Sequence, residues 1–141
     1  MVNLINKVIK EISTSKKEVN SNLKKYLNEI IVIKYGGSAM LDDKLSNNFF
    51  QNIQVLVDLG IKPIIVHGGG PQINDMLNKL SIKHNFFKGM RITNKKTIEI
   101  VEMVLSGSIN KNISFCLSKK GVKALGLSGV DSKIIIAKKY R

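Results

Sequence analysis

Pro63-Ile64-Ile65-Val66-His67-Gly68-Gly69-Gly70-Pro71 sets an aliphatic run directly against three glycines and a proline. A short apolar run bounded in this way reads as a buried strand, here Pro63 to His67. The proline suits the first position of a following helix, where its missing N–H does no harm. Residues 30–38, Ile-Ile-Val-Ile-Lys-Tyr-Gly-Gly-Ser, repeat the design: a strand from Ile30 to Lys34, then Tyr35-Gly36-Gly37-Ser38. Between the two runs, Leu45 to Leu59 has helical spacing and stops at Gly60, with Pro63 close behind. Aliphatic strands alternating with helices predict an α/β fold: a mainly parallel open sheet with helices on both faces, an αβα sandwich.

Working outward, a helix is predicted from Pro71 or Gln72 to about Leu80, and Phe86 to Thr93 reads as irregular. Lys95 to Lys120 is helical, broken or bent near Ser106-Gly107-Ser108 and capped by Gly121. Val122 to Leu127 and Lys133 to Lys138 read as two further strands. Before the first strand, Leu4, Val8 and Ile12 form an apolar stripe with Ile5 and Ile9 beside it, interrupted by Ser13-Thr14-Ser15. Ser15-Lys16-Lys17-Glu18 then has capping-box spacing, followed by a second stripe of Val19, Leu23, Tyr26 and Leu27. This lead has two readings, a transit peptide or a helical appendage, and Glu11 and Glu18 weigh against the first. The domain division is therefore a helical extension over 1–29 and a lobe over 30–141.

The 141 residues carry 23 Lys+Arg against 10 Asp+Glu, a formal net charge of +13, and 43% are hydrophobic. The longest aliphatic stretches, Ile30 to Ile33 and Ile134 to Ala137, are far too short to span a bilayer. A lone Cys116 excludes an internal disulfide framework and fits a reducing compartment. With two histidines far apart, no zinc site is expected, nor any other metal ligated by the chain. The positive charge invites a nucleic-acid reading, but 21 of the basic residues are Lys and only two are Arg. Nucleic-acid surfaces favour arginine and interleave aromatics, whereas aromatics here are 6% with no Trp. The lysines accompany 20 Ile and 14 Asn, all encoded by A/T-rich codons, which points to genome composition and a solvated surface. Cys116 is expected in a core, His84 on the surface, and His67 in its turn rather than in catalysis.

Chemistry is sought where the strands end. In an open α/β sheet, ligands bind beyond the carboxyl ends of strands, and glycines there let the backbone approach an anion closely. Gly68 to Gly70 do this after one strand; Gly36 and Gly37 do it after the other, with the Lys34 ammonium one step before. Neither cluster is a Walker A or a G-x-G-x-x-G motif, and tight strand-to-helix turns use glycine too. Gly89-Met90-Arg91-Ile92-Thr93 holds the internal arginine, whose planar fork grips a carboxylate in two places. An ordinary surface arginine is the alternative.

Ile31 to Ser38, Val66 to Pro71 and Gly89 to Thr93, in that order, resemble the amino-acid kinase superfamily, and within it the N-acetyl-L-glutamate kinase family of arginine biosynthesis. Gly126-Leu127-Ser128-Gly129 and the helix Glu99 to Leu105 are similar to the same family and extend the likeness over Ile30 to Lys139. That family usually has Lys-Asp after Ser-Gly; Val130-Asp131 stands here, so Asp131 receives no role. The resemblance implies transfer of the γ-phosphoryl group of ATP, with Mg2+, to the side-chain carboxylate of N-acetyl-L-glutamate. It implies Lys34 as transition-state stabiliser, Gly36 and Gly37 along the phosphate path, Gly69 and Gly70 against N-acetyl-L-glutamate, and Arg91 on its α-carboxylate. It further implies a homo-oligomer, a dimer or a hexamer joined through the N-terminal helix, and a PII-type regulator as partner. No nucleic acid or membrane partner is expected, and the location is plastid stroma or cytoplasm. Family members continue into a second, nucleotide-holding half, so this chain is expected to be the substrate half and not to turn over alone. The competing readings are a non-catalytic binding or assembly module and another member of the superfamily.

Overall fold

The computed structural model describes residues 15–138, and the stripe read at Leu4, Ile5, Val8, Ile9 and Ile12, its interruption at Ser13-Thr14, Glu11 and the end of the family likeness at Lys139 lie outside them. The described chain forms two compact units: residues up to His67 together with Lys119–Val122, and Gly68–Ser118 together with residues from Lys123 on.

The first unit begins with helix α1 (Lys16–Tyr26). Ser15 caps it as its spacing predicts, its Oγ accepting from Glu18 N at 3.1 Å. Strands β1 (Ile30–Tyr35) and β2 (Lys62–His67) run parallel, in register from Ile30 opposite Lys62 to Tyr35 opposite His67. Both strands thus end at the same edge of the sheet, each followed in sequence by glycine. Helix α2 (Asp43–Asp58) starts two residues before the apolar spacing does, because Asp42 Oδ1 accepts from Leu45 N at 2.9 Å and caps an earlier turn. It ends as predicted at Gly60, whose φ is +82°. Burial alternates along both strands. The Tyr35 face packs on α2, with Tyr35, Phe50 and Ile53 buried, while Ile30, Val32, Ile64 and Val66 on the other face are exposed.

In the second unit, α3 (Gly70–Lys79) starts at once after β2, with proline in its first turn. Helix α4 (Lys95–Glu102) is capped by Asn94, whose Oδ1 accepts from Thr97 N at 2.9 Å. It runs without a break into a π-helical segment (Met103–Ile109) and then α5 (Asn110–Lys119). The expected bend at Ser106-Gly107-Ser108 is therefore a widened turn inside a continuous helix, the usual form of a π insertion. Ile73, Leu77, Val104, Ile109, Ile113 and Leu117 make the core.

Five expectations are corrected. Phe86 to Thr93 is irregular only at Ile92 and Thr93: β3 (Phe86–Phe87) and β4 (Met90–Arg91) form a two-residue hairpin, closed by Lys88 (φ +47°) and Gly89 (φ +77°). Both turn residues have positive φ, the geometry that matches the twist of hairpin strands. Val122 to Leu127 and Lys133 to Lys138 are not strands. A strand needs a second backbone, and here Asn110 Nδ2 donates to Leu127 O (3.1 Å) and Lys111 Nζ to Gly126 O (3.1 Å), so side chains take carbonyls that a ladder would use. Further on, Ile135 N donates to Gly129 O at 2.9 Å and Ser132 and Lys133 are left-handed, which turns the triple isoleucine away from extended pairing. Finally, Cys116 is half-buried rather than core, and His84 is half-buried rather than on the surface, its ring centroid 6.2 Å from that of Phe86.

Candidate functional site

The first unit holds Lys34, Gly36 and Gly37 around a buried anchor. Alternation puts Lys34 on the exposed face of β1 and Tyr35 on the packed one. Lys34 takes part in no hydrogen bond or ion pair among the described residues, so its ammonium is uncommitted. Tyr35, 4% exposed, stacks on Phe49 with ring centroids 3.9 Å apart. Its Oη donates to Ser46 Oγ at 2.8 Å, and that hydroxyl donates on to Ala39 O at 2.7 Å. The chain fixes in this way the 3-10 turn Gly37–Met40 that follows the glycine pair. Gly37 has φ +63°, a conformation that costs any residue with a Cβ, and nothing lies within 4 Å of where that Cβ would stand. Open backbone shortly after an exposed lysine in the chain is a place an anion can occupy. In sequence Tyr35 reads as part of a turn; an aromatic closing an inward strand position, with Phe49-Phe50 on the next helix, is the signal for its anchoring role.

The second unit holds Gly69, Gly70 and Arg91. Gly69 is buried, and a Cβ there would collide with Ile109 Cδ1 and come within 2.8 Å of Leu105 Cδ2. The π-helical segment packs onto this turn, a link that no sequence pattern announces. Gly68 and Gly70 on either side are exposed, with open space at their Cα atoms. Arg91 is half-buried on β4, directly opposite Phe86. Its Nη2 donates to Asn74 Oδ1 on α3 (2.5 Å), and its Cζ lies 4.7 Å from the centroid of the Phe86 ring. Nη1 is enclosed and has no hydrogen-bond partner among the described residues, as is Gln72 Oε1. Arg91 is therefore no loose surface arginine: half its fork is used and half is left for an acceptor. Asn74 and Phe86 were not identified from sequence, because one is an ordinary helix residue and the other an ordinary apolar one until the hairpin folds. Asp131, which had no sequence-based role, caps its own turn by accepting from Ser128 N at 2.6 Å. Among the described residues no three of His, Cys, Asp or Glu come together to hold a metal ion, and no helix is long and apolar enough to cross a membrane.

The amino acid kinase family model matches residues 29–140. The acetylglutamate kinase of Hahella chejuensis is 47% identical over 117 residues, 83% of this chain and 39% of that protein. The acetylglutamate kinase of Azorhizobium caulinodans is 52% identical over 118 residues, 84% of this chain and 39% of that protein. Among solved structures, smu.665 from Streptococcus mutans is similar with a TM-score of 0.59 and 34% identity, covering 67% of this chain and 38% of that one. The chain thus spans about two-fifths of the length of the curated relatives it matches.

Proposed function

This chain belongs to the amino acid kinase family, and on that premise we propose that it carries the substrate-binding half of an ATP-dependent kinase that phosphorylates the side-chain carboxylate of N-acetyl-L-glutamate. The observation that carries the reading is Arg91, a guanidinium held by Asn74 and Phe86 with one nitrogen lacking an acceptor, in the unit that also holds the Gly68–Gly70 turn. A small amino-acid derivative bearing carboxylates is the ligand such a fork suits. The names and identities of the relatives support the same substrate.

In this reading an oxygen of the side-chain carboxylate attacks the γ-phosphorus of ATP. The bond from that phosphorus to its bridging oxygen breaks, and an acyl phosphate and ADP result. The carboxylate is already a nucleophile, so the protein supplies position and charge rather than a base. Lys34 is assigned to charge developing on the transferred group; the open backbone of Gly36 and Gly37 and the exposed lysine that precedes them in the chain fit a phosphate. Gly69 and Gly70 are assigned to the N-acetyl-L-glutamate backbone and Arg91 to its α-carboxylate. Mg2+ would accompany the triphosphate, and no ligand to it is assigned in this chain.

The same reading includes a lobe beginning near residue 30 and a helical extension before it. It includes assembly into dimers or, through α1, hexamers, supported by the exposed Tyr26 and Leu27 at the end of that helix. A PII-type regulator and a plastid or cytoplasmic setting complete it. The test is calorimetric titration of the 141-residue chain with N-acetyl-L-glutamate. Saturable binding that disappears in Arg91→Ala is expected. A folded chain that shows no heat of binding would overturn the substrate assignment.

A further inference from the structure

We infer that Asn74 and Phe86 are positioning residues that preset the orientation of the Arg91 guanidinium before a ligand arrives. The inference rests on the reading that Arg91 receives a carboxylate, and deepens it by naming what makes that fork selective. An arginine side chain has four rotatable bonds, and a free one must be ordered by its ligand at the ligand's expense. Here two restraints act on the same guanidinium. The Nη2 to Asn74 Oδ1 hydrogen bond fixes the rotation of the fork within its own plane. The Phe86 ring, its centroid 4.7 Å from Cζ, holds the guanidinium by a cation–π contact. Neither restraint uses Nη1, which keeps its donors for an acceptor from outside the described residues.

The origins of the two partners explain why the restraint is local. Phe86 faces Arg91 because the hairpin register pairs them across two adjacent strands. Asn74 lies in the helix that begins at Gly70, so its bond ties the hairpin to the helix that continues the glycine turn. A ligand carboxylate on Arg91 therefore meets a group whose place is set relative to that turn. Phe86 is 53% exposed, so its burial contributes little to a core; its ring meets the Arg91 guanidinium and the edge-on His84 ring.

The chain has only two arginines, which makes a direct test practical. In an Arg141→Lys background, the side-chain nitrogen signals of Arg91 are recorded by NMR without any ligand. A held guanidinium rotates slowly and gives separate Nη1 and Nη2 resonances; a free one averages them. Separate signals are expected in the parent, merged signals in Asn74→Leu, which keeps the volume and removes the acceptor, and separate signals again in Asn74→Asp, which keeps an oxygen. Phe86→Leu, at an exposed position, is expected to speed the averaging even if Asn74→Leu folds poorly. Averaged signals in the parent, or signals unchanged by both Asn74→Leu and Phe86→Leu, overturn the inference.

The binding arm then reads the consequence. Asn74→Leu is expected to weaken N-acetyl-L-glutamate about tenfold, the scale of one hydrogen bond to a charged group, and to leave an analogue with an α-carboxamide in place of the α-carboxylate unaffected. Equal weakening of both ligands would mean that Asn74 does not act through Arg91. If the parent binds neither ligand, the substrate reading fails, while the ligand-free NMR result still decides whether the fork is preset.

Discussion

After β1, the glycine that shapes the turn is Gly37, left-handed at φ +63° with open space around it. After β2 it is Gly69, which is buried under Leu105 and Ile109 of the π-helical segment. The two turns look alike in sequence, an aliphatic strand running into glycines, yet one glycine is needed for its backbone angle and the other for its missing side chain. The first requirement is local and survives in any surroundings. The second exists only because a segment some forty residues later packs onto the turn.

Adding one methyl group at each position separates the two. Gly69→Ala forces two side chains to move in a packed contact and is expected to cost about 1–3 kcal/mol, read as a lower urea midpoint with unchanged slope. Shortening Ile109 to valine in the same chain should recover part of that loss, since the nearest clash is with its Cδ1; no recovery would mean that the cost is not steric. Gly37→Ala meets no atom but must hold a left-handed angle, at about 1–2 kcal/mol, and no neighbouring substitution should relieve it. Gly70→Ala, in open space at the start of α3, should be stabilising by about 0.4–1 kcal/mol through the unfolded chain. If all three behave alike, the distinction between angle and space is wrong.

A similar contrast holds for the strands. β1 and β2 were legible because each aliphatic run has the other beside it, and the ladder follows the pattern. Val122 to Leu127 and the isoleucines at 134–136 have equally apolar runs, and they form no ladder. Apolar patterning states a side-chain preference, whereas a strand is a property of two backbones, and the second one is not encoded in the run itself. The helix caps at Ser15, Asp42 and Asn94 show the opposite case: a cap joins groups three residues apart, so sequence spacing is nearly the whole of its physics.

For the candidate site the division falls in the same place. The sequence alone determined the α/β class, the helix boundaries to within a residue or two, and the residues carrying the family likeness, Lys34, Gly36, Gly37, Gly69, Gly70 and Arg91. Each of these rests on local spacing or on the identity of one side chain. Only the tertiary structure decided that Tyr35 anchors the first turn through Ser46, that Leu105 and Ile109 close over Gly69, and that Asn74 and Phe86 hold Arg91. Those are contacts between residues eleven to forty positions apart in chain order except where the hairpin brings Phe86 across. They form when packing, not spacing, selects which groups meet.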